Sequence, residues 1–196
     1  LYFARHHSVV FSGDAPELPY YMAQLIPYTE SNIAMKALRM VQDYTGCKQG
    51  AAIHLLKRVP PCAGMGGGSG DGAAMLLGLN KFWDLRLTDE ELLTMASKLG
   101  SDVPFLLKGG TARGTDRGEL LETLPTSSAQ WLLIVKPEVS ISTAEAYGRF
   151  AGTSRVTSDT MDTVTAHMNA KDFRQAFISS DNTFEAAPAI LNQRAG

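Results

Sequence analysis

The segment Pro60-Pro61-Cys62-Ala63-Gly64-Met65-Gly66-Gly67-Gly68-Ser69-Gly70-Asp71-Gly72-Ala73-Ala74 limits this chain more than any other stretch, because six of the nine positions from 64 to 72 are glycine. Glycine takes φ > 0 at little steric cost and has no Cβ to hold a ligand off the backbone. An apolar run, Ile53 to Val59, precedes the glycines, and an Ala/Leu-rich run, Ala73 to Phe82, follows them. That order predicts strand, glycine-rich loop, helix start. Successive N–H groups in such a loop converge on an anion, and the helix N-terminus adds positive potential. Two readings follow: a cradle for the phosphates of a nucleotide, or a purely structural turn. The common nucleotide motifs do not fit. No Lys-Ser/Thr pair follows the glycines as in a P-loop, and Ser69-Gly70-Asp71-Gly72 is unlike a dinucleotide fingerprint.

Composition narrows the classes. With 196 residues the chain makes one large domain or two small ones. Its 18 basic and 20 acidic residues give a net charge of -2, so no basic excess points to nucleic acid or an anionic membrane. The apolar runs are too short to span a bilayer, and no secretory signal stands at Leu1. Cys47 and Cys62 make no disulfide framework, which leaves a reducing cytoplasm as the expected compartment. His6 and His7 have no third ligand at a metal-binding spacing and read as a solvated strand end.

Local chemistry predicts the elements. Ser8 to Phe11 is β-rich, and Ser12-Gly13-Asp14 reads as the turn that ends it. Glu17 to Tyr28, rich in Pro and Tyr, reads as irregular. Ser31 is placed as the N-cap of a helix to about Tyr44, with Gly46 closing it. Ala34, Ala37, Leu38 and Val41 form its apolar stripe. Ala51 to Val59 is predicted as the strand that feeds the glycines, and Asp71 to Phe82 as the helix beyond them. Leu76, Leu77 and Leu79 are expected to bury that helix, with Gly78 allowing close packing. Thr88 and Glu91 make a capping box for a helix that Gly100 stops. Pro104 disfavours helix at Val103, so Asp102 is placed at a fixed bend, where it is either a helix cap or a functional carboxylate. Gly109 to Gly114 and Gly118 to Leu124 read as two short strands around a turn. Trp131 to Val135 reads as a strand buried on both faces. Ser142-Thr143 caps a helix carrying Ala146 and Tyr147, and Ser158 to Ser180 reads as two helices with His167, Phe173 and Phe177 on apolar faces.

The glycine segment, followed by Ser101-Asp102-Val103-Pro104-Phe105 and Gly109-Gly110-Thr111-Ala112, resembles the GHMP superfamily of small-molecule kinases. Within it the chain is most similar to the kinases of 4-diphosphocytidyl-2-C-methyl-D-erythritol, which serve non-mevalonate isoprenoid synthesis. Asn32-Ile33 with Lys36-Ala37, Lys57 to Pro60, Leu79-Asn80 with Trp83, Pro137 to Thr143, and Asn182 to Glu185 carry further matches. The resemblance implies an α+β, two-lobed fold. Its nucleotide-binding lobe, like domain 2 of ribosomal protein S5, would span residues 1–127. Its substrate-side lobe, ferredoxin-like and partial, would span 128–196.

The activity implied is transfer of the γ-phosphoryl group of ATP, with Mg²⁺, to the 2-hydroxyl of the cytidine-diphosphate-linked methylerythritol. Asp102 would be the catalytic base. Gly64, Met65, Gly66, Gly67, Gly68, Ser69, Gly70 and Asp71 would wrap the phosphates, with Ser69 near phosphate oxygens or Mg²⁺ and Pro60 leading into the turn. Asn32 and Lys57 match positions near the adenine. Tyr147 would stack on the cytosine, and Thr143 would lie in the same substrate-side segment. The resemblance further implies a cytoplasmic enzyme, a monomer or weak homodimer, with neither nucleic acid nor membrane as partner. Departures stand at Met65, Gly70 and Gly72, where the family usually has Leu, Ser and Ala. The family's opening Lys-x-Asn-Leu strand, its Asp-Gly-Tyr-His segment and its late Gly-Ser-Gly loop are not in this sequence, so it is expected to be part of a longer chain. Another GHMP kinase, of mevalonate or homoserine type, and a nucleotide-binding homologue without catalysis remain as alternatives.

Overall fold

The computed structural model describes residues 1–129, 131–136 and 158–182. The chain divides into two units, Leu1–Gly109 with Gly114–Leu121, and Gly110–Arg113 with Glu122–Gly196. The first unit is built on a three-stranded sheet. Strands β1 (Tyr2–His6) and β2 (Val9–Asp14) flank β3 (Gly50–Leu56), giving the order β1-β3-β2. β1 runs antiparallel to β3, with Phe3 opposite Ile53, and β2 runs parallel to it, with Phe11 opposite Ile53. A parallel neighbour needs a crossover. The crossover here carries a short helix, α1 (Tyr20–Ala23), and a long one, α2 (Ile33–Thr45).

β3 alternates strictly, with Ala51, Ile53 and Leu55 buried on one face. On that face pack α2, α3 (Gly67–Phe82), α4 (Asp89–Leu99) and α5 (Val103–Lys108), which share one core. Leu38 and Val41 of α2, Met75, Leu76 and Leu79 of α3, Leu92 and Met95 of α4, and Val103 of α5 are nearly or wholly inaccessible to solvent. Gly78 permits one close approach, since a Cβ there would lie 2.5 Å from Cζ of Phe3. β4 (Thr111–Thr115) and β5 (Leu120–Leu124) pair as a separate two-stranded sheet. In the second unit α6 (Ser158–Asn169) and α7 (Phe173–Ile178) pack together. The Arg113 guanidinium meets Asp162 of α6 at 2.9 Å. No helix among the described residues is long and apolar enough to cross a membrane.

Several sequence expectations change. Ser12-Gly13-Asp14 continues β2 instead of turning, because each of the three pairs with β3, opposite His54, Leu55 and Leu56. The N-cap of α2 is Asn32, not Ser31, whose hydroxyl meets that of Thr29 instead. β3 stops at Leu56, so 57–59 lie outside it. Leu77 is 45% exposed, rotated off the stripe that Leu76 and Leu79 share. Val103 is helical, for Pro104 stands in the first turn of α5, where a missing N–H costs nothing.

Trp131 to Val135 forms no strand and is exposed, Trp131 fully. A continuous apolar run is buried only when neighbouring strands and both faces cover it, and among the described residues no strand pairs with it. Phe173 is half-buried, as is His167, but Phe177 is exposed on the outer side of α7.

Candidate phosphate-binding site

The glycine segment divides into two structural parts. Gly64 and Gly66 take left-handed backbone, φ 68° and 64°, and form the turn proper. Gly67 onward is already helix, so α3 starts four residues before the Asp71 that the sequence predicts. The first ladder bond runs from the N–H of Gly70 to the Gly66 carbonyl, 2.8 Å. Sequence reasoning took Gly64 to Gly70 as loop residues, with the helix beginning at Asp71. In the helix their use is close approach: a Cβ at Gly67 would lie 2.7 Å from Cγ1 of Val59, and one at Gly72 would lie 3.3 Å from Cγ1 of Ile33. The family's usual Ala at 72 would therefore press on the β-branched Ile33. At Gly70 a Cβ meets nothing within 4 Å, so the absent serine leaves open space and no distortion. Gly68 faces Ile33 more loosely, at 3.9 Å, Met65 is exposed on the turn, Pro60 is half-buried at its entry, and Ser69 is half-buried in the first helical turn.

The first amides of a helix have no intrahelical acceptor. No turn or cap hydrogen bond among the described residues takes the N–H groups of 64 to 69. A row of free donors at a helix N-terminus is an anion site in both geometry and sign.

Lys57 and Asp71 hold this turn in place. The Lys57 N–H extends the β2–β3 pairing by donating to Asp14 O at 2.8 Å. Its ammonium is buried, 5% exposed, and donates to the Gly67 carbonyl at 2.6 Å and to Oδ2 of Asp71. A buried cation is tolerated only when paired and hydrogen-bonded. Burial pushes the Asp71 carboxyl above the ordinary carboxylate range, and Lys57 pulls against it. The pair staples the end of β3 to the first turn of α3. Sequence reasoning put Lys57 near the base and Asp71 on the phosphates, and missed that they bind each other. Asn32 is likewise engaged: its Oδ1 accepts from the Ala34 N–H at 2.9 Å and its Nδ2 donates to Pro27 O at 2.7 Å. Its side chain caps α2 and pins the segment before it.

Asp102 occupies the N-cap position of α5, but its carboxylate accepts no cap hydrogen bond and is exposed. Its place in the fold is fixed through α5. The Leu106 N–H donates to Asp102 O at 3.1 Å, and Leu106 Cδ1 lies 3.3 Å from where a Cβ on Gly66 would stand. Asp102 is thus one helical turn, about 6 Å of rise, from the residue that touches the glycine turn. The Asp102 carboxylate and the free amides at the start of α3 are thus linked through Leu106. Thr143 and Tyr147 lie outside the described residues.

Residues 32–110 match the family described as the GHMP kinases N terminal domain. Over 175 residues the chain is 37% identical to proteins of Bacillus cereus and Bacillus anthracis named 4-diphosphocytidyl-2-C-methyl-D-erythritol kinase, which takes in 87% of this chain and 60% of theirs. The chain thus spans about three fifths of the length of the curated relatives it matches. Among solved structures it superposes on a 4-(cytidine 5'-diphospho)-2C-methyl-D-erythritol kinase with a TM-score of 0.67 at 24% identity, over 97% of this chain and 64% of that one. It also superposes on a homoserine kinase from Cytophaga hutchinsonii with a TM-score of 0.70 at 17% identity, over 96% and 64%. These two likenesses bear on the fold alone.

Proposed function

We infer that this chain, whose residues 32–110 match the GHMP kinases N terminal domain, works as part of an ATP-dependent kinase. We propose the 2-hydroxyl of 4-diphosphocytidyl-2-C-methyl-D-erythritol as the acceptor. The observation that carries the kinase reading is the juxtaposition at the start of α3: unclaimed amides at 64–69, with the uncapped carboxylate of Asp102 one turn of α5 away from the contact with Gly66. The substrate rests on the 37% identity to the curated kinases, not on the fold, which a homoserine kinase shares equally well.

Phosphoryl transfer asks a protein for positioning and for donors aimed at the charge on the transferred group. The amides of 64 to 69 supply those donors, held ready by the Lys57–Asp71 staple. Asp102 accepts or polarises the proton of the attacking hydroxyl, a role open to a carboxylate within hydrogen-bond reach of it. Mg²⁺ prefers a few protein oxygens with phosphates and waters completing the shell. The Ser69 hydroxyl, which makes no hydrogen bond within the described residues, suits such a site, whereas Asp71 is committed to Lys57. When bound, Mg²⁺ would neutralise phosphate charge. Thr143 and Tyr147 stay proposed as contacts on the cytidine side. A cytoplasmic monomer or weak homodimer is proposed with the same assignment.

The test is ADP release from the complete protein with the cytidine-linked alcohol, homoserine and mevalonate offered in parallel. Turnover with the first alone is expected. Turnover only with homoserine or mevalonate would remove the proposed substrate, and Asp102→Asn with kcat retained would remove Asp102 from the mechanism.

A further inference from the structure

The mechanism above leaves one group beside the turn unused. The Tyr28 hydroxyl is shielded from solvent and has no hydrogen-bond partner among the described residues. Its ring is wedged by the fold. Cε1 of Tyr28 would lie 2.2 Å from a Cβ on Gly13, so the ring lies directly on the β2 backbone, and it meets Phe11 with centroids 6.3 Å apart. The chain on its N-terminal side is pinned as well, since Asn32 grips the Pro27 carbonyl. A buried hydroxyl without a partner costs stability, so one left unpaired among the described residues, on a ring held by its packing, calls for another partner.

Position says which part of a ligand it faces. The start of α3 has two flanks. On one, Leu106 of α5 touches Gly66 and brings Asp102, hence the acceptor alcohol. On the other, Ile33, just past the Pro27–Asn32 segment, touches Gly68 and Gly72, and Lys57 meets Gly67 and Asp71. In a transfer from ATP the terminal phosphate faces the alcohol, so the nucleoside must leave the turn on the flank away from Asp102. Tyr28 belongs to that flank.

We propose that Tyr28 is a nucleotide-positioning residue whose phenol donates a hydrogen bond to an acceptor atom of the nucleoside, outside the phosphate turn. The inference rests on the kinase reading. Burial, reinforced by the carboxylates of Asp14 and Asp71, raises the phenol's pKa and keeps it a donor.

The test is Tyr28→Phe in the full chain, which keeps the ring on Gly13 and removes only the hydroxyl. Calorimetry would measure binding of ATP and of tripolyphosphate, which has no nucleoside, and thermal unfolding would be followed without ligand. The expected result has opposite signs: ATP affinity falls about five- to tenfold, the worth of one hydrogen bond, while tripolyphosphate affinity is unchanged and the ligand-free unfolding temperature stays level or rises. Equal ATP binding by wild type and variant would overturn the inference and leave the kinase reading standing. An equal loss for tripolyphosphate would overturn it by moving the hydroxyl to the phosphates. A lower unfolding temperature, or failure to fold, would overturn it by giving the hydroxyl a structural partner. A wild type that binds neither compound would bring down the kinase reading, and this inference with it.

Discussion

Lys57→Met isolates the staple under the glycine turn. Methionine keeps most of the length and the apolar stem and deletes the ammonium, which is buried against Gly67 O and Asp71. Asp71 is left with a charge the fold no longer compensates. Breaking a buried pair by removing one partner costs about 3–5 kcal/mol. The Asp71 side chain is 19% exposed and keeps some contact with water, so a loss near the lower end, about 3 kcal/mol, is expected. Against a domain stability of about 5–15 kcal/mol that is a large fraction.

The loss has a pH signature. Burial already holds the Asp71 pKa up in the presence of Lys57, and removing the cation removes the side chain that opposes burial. A carboxyl whose folded pKa exceeds its unfolded value, about 3.9, contributes stability below the unfolded pKa and loses it as pH rises through the folded one. The deficit of Lys57→Met relative to wild type should therefore be widest at neutral pH and shrink as the solution is acidified through the raised Asp71 pKa. Urea unfolding followed by circular dichroism at a series of pH values measures it. Adding Asp71→Asn should return much of the loss at neutral pH. An unchanged unfolding midpoint, or a deficit that does not vary with pH, would refute the idea that burial of this pair holds the turn.

Gly67→Ala should destabilise by about 1–3 kcal/mol through overpacking against Val59 and weaken nucleotide binding. Gly70→Ser, which enters open space, should be neutral or slightly stabilising; parallel chemical denaturation compares the two. Thr88→Ala should cost about 1 kcal/mol by removing the cap of α4, read as a shift in urea midpoint. The N–H of Thr88 and the hydroxyl of Tyr44 hold the Glu91 carboxyl below its usual range. Its contribution is present above the unfolded pKa, about 4.3, and is lost as pH falls through the lower folded value. Glu91→Gln should thus lower stability at neutral pH and flatten the acid limb, the two proteins converging as pH falls below the folded Glu91 pKa.

What the sequence disclosed is what short-range chemistry decides. Thr88 and Glu91 are three residues apart, and their capping box reads directly from spacing. Gly46 closes α2, with φ 69°, for an equally local reason, and the β4–β5 hairpin follows from its turn. The start of α3 was misjudged because Gly67 and Gly68 answer to Val59 and Ile33, neighbours that only the fold brings near. Trp131 to Val135 misled because an apolar run states a need for cover without naming what supplies it. The same division runs through the candidate site. The glycine turn and Asp102 stood out in the sequence. The mutual engagement of Lys57 and Asp71, 14 positions apart, and the unpartnered hydroxyl of Tyr28 did not, because both arise from packing between segments.

The order β1-β3-β2 also governs when this architecture can assemble. Two residues, His7 and Ser8, separate β1 from β2, yet the strands do not pair with each other; β3 enters between them, more than thirty positions later. Gly50 sits in the fork they leave, where a Cβ would lie 2.5 Å from Ser8 N. Among the described residues β1 and β2 pair only with β3, which follows α2 in the chain. Closing that loop before any strand contact is rewarded slows folding, and a side chain at position 50 would obstruct the insertion step itself.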